Sequence, residues 1–123
     1  MDKERFGEKI KLKRQEKGFT LRGFADALNI APSYMSDIEK GKRNPPAQEI
    51  IEKMIVLLEL KEEEKNDLLD LAATEKDTLA YDIAVYVNDI ANVRVALRKA
   101  KELNLGEERW IEIIKQIEEE SKK

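Results

Sequence analysis

The chain has 123 residues and a net charge of −3, with 40% charged and 41% hydrophobic residues, enough for one small helical domain plus an appendage. It contains no Cys and no His, which excludes disulfides, thiol or imidazole catalysis and the usual zinc ligands. No apolar run approaches the roughly 20 residues that span a bilayer, and the start lacks the apolar centre of a signal peptide, so we expect a soluble, cytoplasmic protein without membrane contact.

The first predicted helix runs from Glu4 to Lys17 and ends at Gly18. Its apolar residues recur at the spacing of one helix face, as in an amphipathic helix that packs on a core. That inner face consists of Phe6, Ile10 and, more loosely, Leu12 or Lys13.

A short helix is predicted next, after Thr20, whose hydroxyl can accept a hydrogen bond from an amide at the helix start. Asn29 tolerates the left-handed backbone conformation that a helix end needs, and Ile30 supplies an apolar contact for the turn. The buried face has i, i+3, i+4, i+7 spacing and consists of Leu21, Phe24, Ala25 and Leu28.

A second short helix is predicted at once, from Pro32 to Lys40, with Ser33 or Ala31 at its cap and Gly41 closing it. The inward-facing residues are Met35 and Ile38. The outward-facing residues are small or polar: Ser33, Tyr34, Ser36, Asp37 and Lys40. A rigidly held short helix with this surface has dimensions that suit the major groove of DNA.

At these residues the chain resembles the helix-turn-helix domain of phage repressors and Cro proteins, the XRE-like family. The resemblance covers about the first half of the chain and rests on a register of spaced positions: Ala25, Asn29, Ile30, Met35, Ser36, Ile38, Glu39, Gly41 and Pro45. It implies an all-α fold, in which a five-helix repressor-like domain precedes a small helical carboxy-terminal segment. It also implies a sequence-specific, double-stranded-DNA-binding transcriptional regulator, a homodimeric repressor.

The resemblance also assigns roles to individual residues. The helix from Pro32 to Lys40 would enter the major groove of a DNA operator. The positions that would face bases are Pro32, Ser33, Tyr34, Ser36 and Asp37. Those that would contact phosphates are Thr20, Arg22, Lys40, Lys42, Arg43 and Asn44. The family often has an arginine at the position of Arg14, paired with the glutamate equivalent to Glu39; the alternative is that Arg14 is one more solvated cation.

Two departures from the family affect this assignment. The family often has Gln where this chain has Leu21, so one usual phosphate contact is missing, and Pro32 has no side-chain donor for a base. Asp37 could accept a hydrogen bond from a cytosine amino group, or it could merely orient Lys40 or Arg43.

Charge is divided unevenly along the sequence. Residues 1–44 carry 11 Lys and Arg against 7 Asp and Glu, a balance of +4, whereas residues 45–123 carry 12 against 19, a balance of −7. The potential that attracts phosphates therefore belongs to the amino-terminal part, and an acidic total does not argue against DNA binding.

Two more amphipathic helices, Ala47 to Leu60 and Lys61 to Ala73, complete a domain over residues 1–73. The prolines that end the connector Lys42 to Pro46 are placed to begin the first of them. The polar segment 74–77 marks a boundary to a helical segment over 78–120. Its β-branched run at 83–87 could instead be a strand, although no turn-rich partner strand is visible.

The segment 78–120 is rich in apolar residues and too short to be well stabilised alone, so we expect it to fold back on the first domain or to form a homodimer. A different class of function is a protein-interaction regulator, either the antitoxin of a toxin pair or a repressor cleaved by a partner metallopeptidase, for which Leu97 and Arg98 are a weak signal. The clusters Glu62–Glu64 and Glu118–Glu120 are solvated helix ends, so we expect no enzyme activity, cofactor or metal.

Overall fold

A computed structural model describes residues 5–122, and all the regular secondary structure in that range is α-helix. The helices are α1 (Phe6–Glu16), α2 (Leu21–Leu28), α3 (Pro32–Glu39), α4 (Gln48–Leu57), α5 (Glu62–Glu75), α6 (Tyr81–Asp89), α7 (Ala91–Glu102) and α8 (Glu107–Glu120). The predicted all-α class, with five helices and then a smaller helical segment, is confirmed. The strand alternative for 83–87 is wrong, because those residues lie in α6.

The chain divides into two compact units, Met1–Ala84 and Val85–Lys123, and the division falls inside α6. In the first unit, the apolar faces of α1 to α5 share one core, because each helix repeats its apolar residues at helical spacing. The core residues are Phe6, Ile10, Phe24, Ala25, Leu28, Met35, Ile38, Ile51, Met54, Leu58, Leu68, Leu69, Ala72 and Ala80. α3 packs against both α1 and α2, so the core fixes the helix that carries the predicted base-reading residues.

The inner face of α1 differs from the prediction. Leu12 is exposed and Lys13 is half-buried, whereas Arg14 is buried beside Phe6 and Ile10. Residues 6, 10 and 14 are spaced by four, so they lie on one face of the helix. The apolar spacing missed this because a charged side chain such as Arg14 does not add to an apolar pattern, and its burial requires a charged partner on another helix. The predicted start, Glu4, lies outside the described residues.

The N-cap residue of α3 is Ala31, one of the two predicted candidates. Two other predicted boundaries were wrong by a few residues. α4 begins at Gln48, after two buried prolines, and ends at Leu57 because Glu59 adopts the left-handed conformation, with φ of 50°. α5 continues to Glu75, into the polar segment that was predicted as a boundary.

The second unit contains the end of α6 and the helices α7 and α8. Nη1 of Arg94 donates to the carbonyl oxygens of Val87 at 3.0 Å and Asn88 at 2.6 Å, which places a cation on the carbonyl end of α6, where it is favoured. Of the described residues in this unit, Ala100 alone is buried. Several large apolar side chains are exposed: Val85, Tyr86, Ile90, Val95, Leu97, Leu103, Trp110, Ile111, Ile114 and Ile117.

Within residues 5–122, no helix is both long enough and apolar enough to cross a membrane. In the same range, no group of three or more acidic side chains is placed where it could hold a metal ion.

Candidate nucleic-acid interface

The turn between α2 and α3 is fixed by backbone and side-chain hydrogen bonds. The Thr20 hydroxyl oxygen accepts from the Gly23 amide at 3.0 Å, which caps α2 as predicted. Asn29 has φ of 59°, the predicted left-handed conformation, and the Ile30 amide donates to the Ala25 carbonyl at 3.0 Å. This pattern closes the helix end and sets the direction in which α3 begins.

A buried ion pair fastens α3 to α1. Nε and Nη2 of Arg14 donate to the two carboxylate oxygens of Glu39, at 2.7 Å and 3.0 Å, and Nη1 donates to the Phe19 carbonyl at 2.9 Å. Both residues are only 7% exposed. The predicted pairing is therefore confirmed, and Arg14 is not a solvated cation. Because the contact has two points, it fixes the orientation of α3 as well as its position.

Gly7 allows α1 to approach the carboxyl end of α3 very closely. A Cβ atom at residue 7 would lie 2.2 Å from the Ile38 carbonyl oxygen and 2.9 Å from that of Glu39, so any side chain there would displace backbone. The sequence carries a signal for this position. A glycine inside a helical pattern weakens the helix, and it often marks a position where packing requires one.

The predicted base-reading residues lie along α3, and the predicted phosphate-binding residues lie at the start of α2 and after α3. Ser33 is exposed, and the other four are half-buried: Pro32, Tyr34, Ser36 and Asp37. All six residues predicted to bind phosphate are exposed: Thr20, Arg22, Lys40, Lys42, Arg43 and Asn44. Two of them, Thr20 and Arg22, are at the start of α2, and the other four follow α3. Their contacts with DNA stay predictions.

The exit from α3 folds back toward the helix. Gly41 has φ of +77°, its amide donates to the Ile38 carbonyl at 3.1 Å, and the Lys42 amide donates to the Asp37 carbonyl at 2.9 Å. These two bonds reverse the chain at the helix end. They bring the guanidinium carbon of Arg43 to 5.8 Å from the centre of the Tyr34 ring, a contact that the sequence did not predict.

A cleft of about 690 Å³ lies beside this exit, between the start of α1 and the end of α5. Its basic side chains are Arg5, Lys40 and Arg43, and its acidic ones include Glu8 and Glu75. Glu75 is occupied structurally, because its carboxylate accepts from the Phe6 amide at 3.1 Å and so caps α1. Arg5 is a further exposed cation near the exit that was absent from the predicted phosphate-binding set.

Ion pairs also connect α1 and its C-cap residue to α5 and to the residues just before it; Lys9 and Asp67 form one of them, with Nζ 3.8 Å from Oδ2. Lys13 donates to Glu64, and this hydrogen bond raises the pKa of Lys13 and lowers the pKa of Glu64. Lys17 donates in the same way to Glu59 and lowers the pKa of that carboxyl group. These contacts stabilise the scaffold and lie on residues outside the predicted reading surface.

The sequence profile described as a helix-turn-helix domain matches residues 5–68, more than half of the chain. The HTH-type transcriptional regulator SinR of Bacillus licheniformis is 32% identical over 76 residues, which are 62% of this chain and 62% of that protein. The uncharacterized HTH-type transcriptional regulator YazB of Bacillus subtilis (strain 168) is 45% identical over 47 residues, which are 38% of this chain and 68% of that protein.

A solved crystal structure of SinR, the master regulator for biofilm formation, in complex with DNA is 34% identical, with a TM-score of 0.46, and the match covers 53% of this chain and 98% of that one. The chain spans less than two thirds of the length of the Bacillus licheniformis relative. Because the family profile covers more than half of it, the chain belongs to the helix-turn-helix domain family, as its resemblance to the XRE-like repressors predicted.

Proposed function

We propose that the protein is a sequence-specific, double-stranded-DNA-binding transcriptional regulator that acts as a homodimeric repressor. The arrangement of α3 carries this proposal. The helix has a polar outer surface, the Arg14–Glu39 pair fixes it to α1, and exposed cations follow it in the chain. Membership of the helix-turn-helix family and two relatives that are HTH-type transcriptional regulators support it. We assign the DNA-binding part to residues 1–73.

In the proposed mechanism, α3 enters the major groove, where Ser33 and Asp37 lie one helical turn apart and can each reach a base edge. The start of α2 and the exit from α3 would contact the phosphates on the two sides of the groove. Phosphate contacts set the register of the protein on the duplex, and the base contacts select the sequence. The +4 balance of residues 1–44 gives this surface the sign that attracts DNA.

Salt dependence of duplex binding tests the assigned surface. Replacing Lys42 and Arg43 together with Ala should weaken binding to all duplexes alike and reduce the slope of log affinity against log salt by ~1 to 2 units, since each phosphate contact contributes about 0.9. Lys115 and Lys122 are matched controls, because both are exposed lysines in the second unit. If their replacement reduced the slope and the first pair did not, the proposed surface would be wrong.

We assign dimerisation to the helical segment 78–120. The second unit of the fold, which contains most of this segment, leaves large apolar side chains exposed, and a partner surface would remove them from water. Charge supports pairing of two copies: α7 carries four basic residues and one acidic residue, whereas α8 carries six acidic and two basic ones. An antiparallel second copy can therefore set α7 against α8 twice in a two-fold arrangement.

A homodimer would place two α3 helices on half-sites ~10 base pairs, or a multiple of that, apart. Sedimentation of the full chain tests this assignment, with Ile114→Glu in α8 as the disrupting change. Val56→Glu is the control, since Val56 is an exposed apolar residue on a helix of the first unit. We expect a dimer for the wild type and for Val56→Glu, and a monomer for Ile114→Glu. A monomeric wild type at micromolar concentration would contradict the assignment.

A further inference from the structure

The Tyr34 ring and the Arg43 guanidinium group form a cation–π contact on the exposed side of α3. The guanidinium carbon lies 5.8 Å from the ring centre, within the range of this interaction. Tyr34 is half-buried and packs against the core of the first unit, so its ring has a fixed position. Arg43 is exposed, so its charged group stays accessible from solvent.

The backbone holds Arg43 in place from both sides. On one side the Lys42 amide is bonded to the Asp37 carbonyl, and Gly41 supplies the left-handed turn that makes this bond possible. On the other side Pro45 is buried. The loop therefore has little freedom at Arg43, and the Tyr34 ring restricts the side chain as well.

We propose that Tyr34 is a positioning residue, whose ring holds Arg43 in the orientation that binds a backbone phosphate of the operator, and that Tyr34 does not itself read a base. This inference rests on the proposed function. A cation–π contact leaves the guanidinium N–H donors that point away from the ring available for a two-point contact with phosphate. Ordering the long side chain before binding also lowers the entropy cost of the contact.

Lys42 provides an internal comparison. It precedes Arg43 in the same exposed loop, but an ammonium group on a flexible stem acts on phosphate as a point charge. Its contribution to binding should therefore be independent of the Tyr34 ring, whereas that of Arg43 should depend on it.

A double-mutant cycle tests the proposal by measuring the affinity of the full chain for two DNA duplexes. One duplex carries the site that the wild type enriches from a random pool, and the other carries the same bases in scrambled order. Arg43→Ala should weaken binding about tenfold in the wild type, as expected for a charge-assisted hydrogen bond. In the Tyr34→Leu background its effect should be smaller by about two- to fivefold, which corresponds to the energy of an exposed cation–π contact. Lys42→Ala should cost the same factor in both backgrounds, and Tyr34→Phe should match the wild type.

Two further measurements keep the test independent of folding defects. Arg43→Lys keeps the charge and the wild-type ring, so it should retain the salt slope but lose part of the affinity, because a lysine cannot make the two-point contact. In the protein without DNA, the NMR signal of the Arg43 Nε–H group should show the ring-current shift of Tyr34. That shift should persist in Tyr34→Phe and disappear in Tyr34→Leu.

Additive effects of Tyr34→Leu and Arg43→Ala would overturn the proposal. So would a Tyr34→Leu protein that changes its preferred base at one position while Arg43→Ala keeps its full effect, because Tyr34 would then read that base. A wild-type chain that binds neither duplex would instead refute the proposed function, and the cycle would have no binding to measure. The two failures are therefore distinguishable.

Discussion

Arg14 and Glu39 join α1 to α3 through two hydrogen bonds in a site that is almost closed to solvent. We expect Arg14→Ala to lower the free energy of unfolding by ~3 to 5 kcal/mol, since it leaves the Glu39 carboxylate buried without its partner. Urea unfolding measures this change. The double variant Arg14→Met, Glu39→Met should be much closer to the wild type, because neither charge then remains buried. An Arg14→Ala protein within 1 kcal/mol of the wild type, roughly the upper value for an exposed pair, would contradict this.

The close approach of α1 to α3 at Gly7 makes a second prediction. Gly7→Ala should lower the free energy of unfolding by about 1 to 3 kcal/mol or more, as overpacking does. The new Cβ would meet the backbone oxygens of Ile38 and Glu39. Gly106→Ala is the control, since a Cβ there meets no atom within 4 Å. We expect it to cost less than about 1 kcal/mol, the usual scale of a helix-cap change. Equal effects of the two substitutions in thermal unfolding would be inconsistent with the described packing.

The Lys13–Glu64 pair predicts how stability depends on pH. The hydrogen bond from Lys13 lowers the pKa of Glu64 in the folded protein, so its stabilising effect is present above the ordinary pKa of a glutamate, about 4.3, and is lost as the pH falls through the lowered value. The pKa of Lys13 is raised, so its share is present below the ordinary lysine value, about 10.4, and is lost at higher pH.

Thermal unfolding at neutral and acidic pH checks this. The wild type should lose more stability than Glu64→Gln on acidification, because the variant lacks the carboxylate whose interaction with Lys13 is lost at low pH. Glu63→Gln is the matched control, since Glu63 is also in the first turn of α5 and feels the same helix dipole. It should follow the wild type. A Glu64→Gln protein with the full acid loss would show that the pair contributes nothing to the pH dependence.

The parts of this structure that could be predicted from sequence depend on local rules. Periodic apolar residues define α1 to α5. Asn29 and Gly41 have the left-handed backbone conformation, which few residue types other than glycine and asparagine adopt readily. The resemblance to repressors also led to the Arg14–Glu39 pair. All of these follow from short spacings or from a known register.

The features that sequence did not predict depend on distant parts of the chain. Gly7 is required by carbonyl groups more than thirty residues away. The Tyr34–Arg43 contact needs the reversal of the chain after α3, which no apolar pattern encodes. The end of α4 was not predicted because the residue with positive φ there is Glu59, and a glutamate does not mark a helix end in the sequence as a glycine would.

Selection of duplexes from a random pool by the full-length protein tests sequence-specific DNA binding through α3 most directly, with Asp37→Ala selected in parallel. We predict enrichment of a defined site for the wild type. For Asp37→Ala we predict relaxed preference at one base pair per half-site, worth ~1 to 3 kcal/mol of discrimination. An unchanged preference in Asp37→Ala would remove that residue from the reading set. A wild-type pool with no enriched sequence, although the protein is folded, would contradict the proposal that α3 reads DNA.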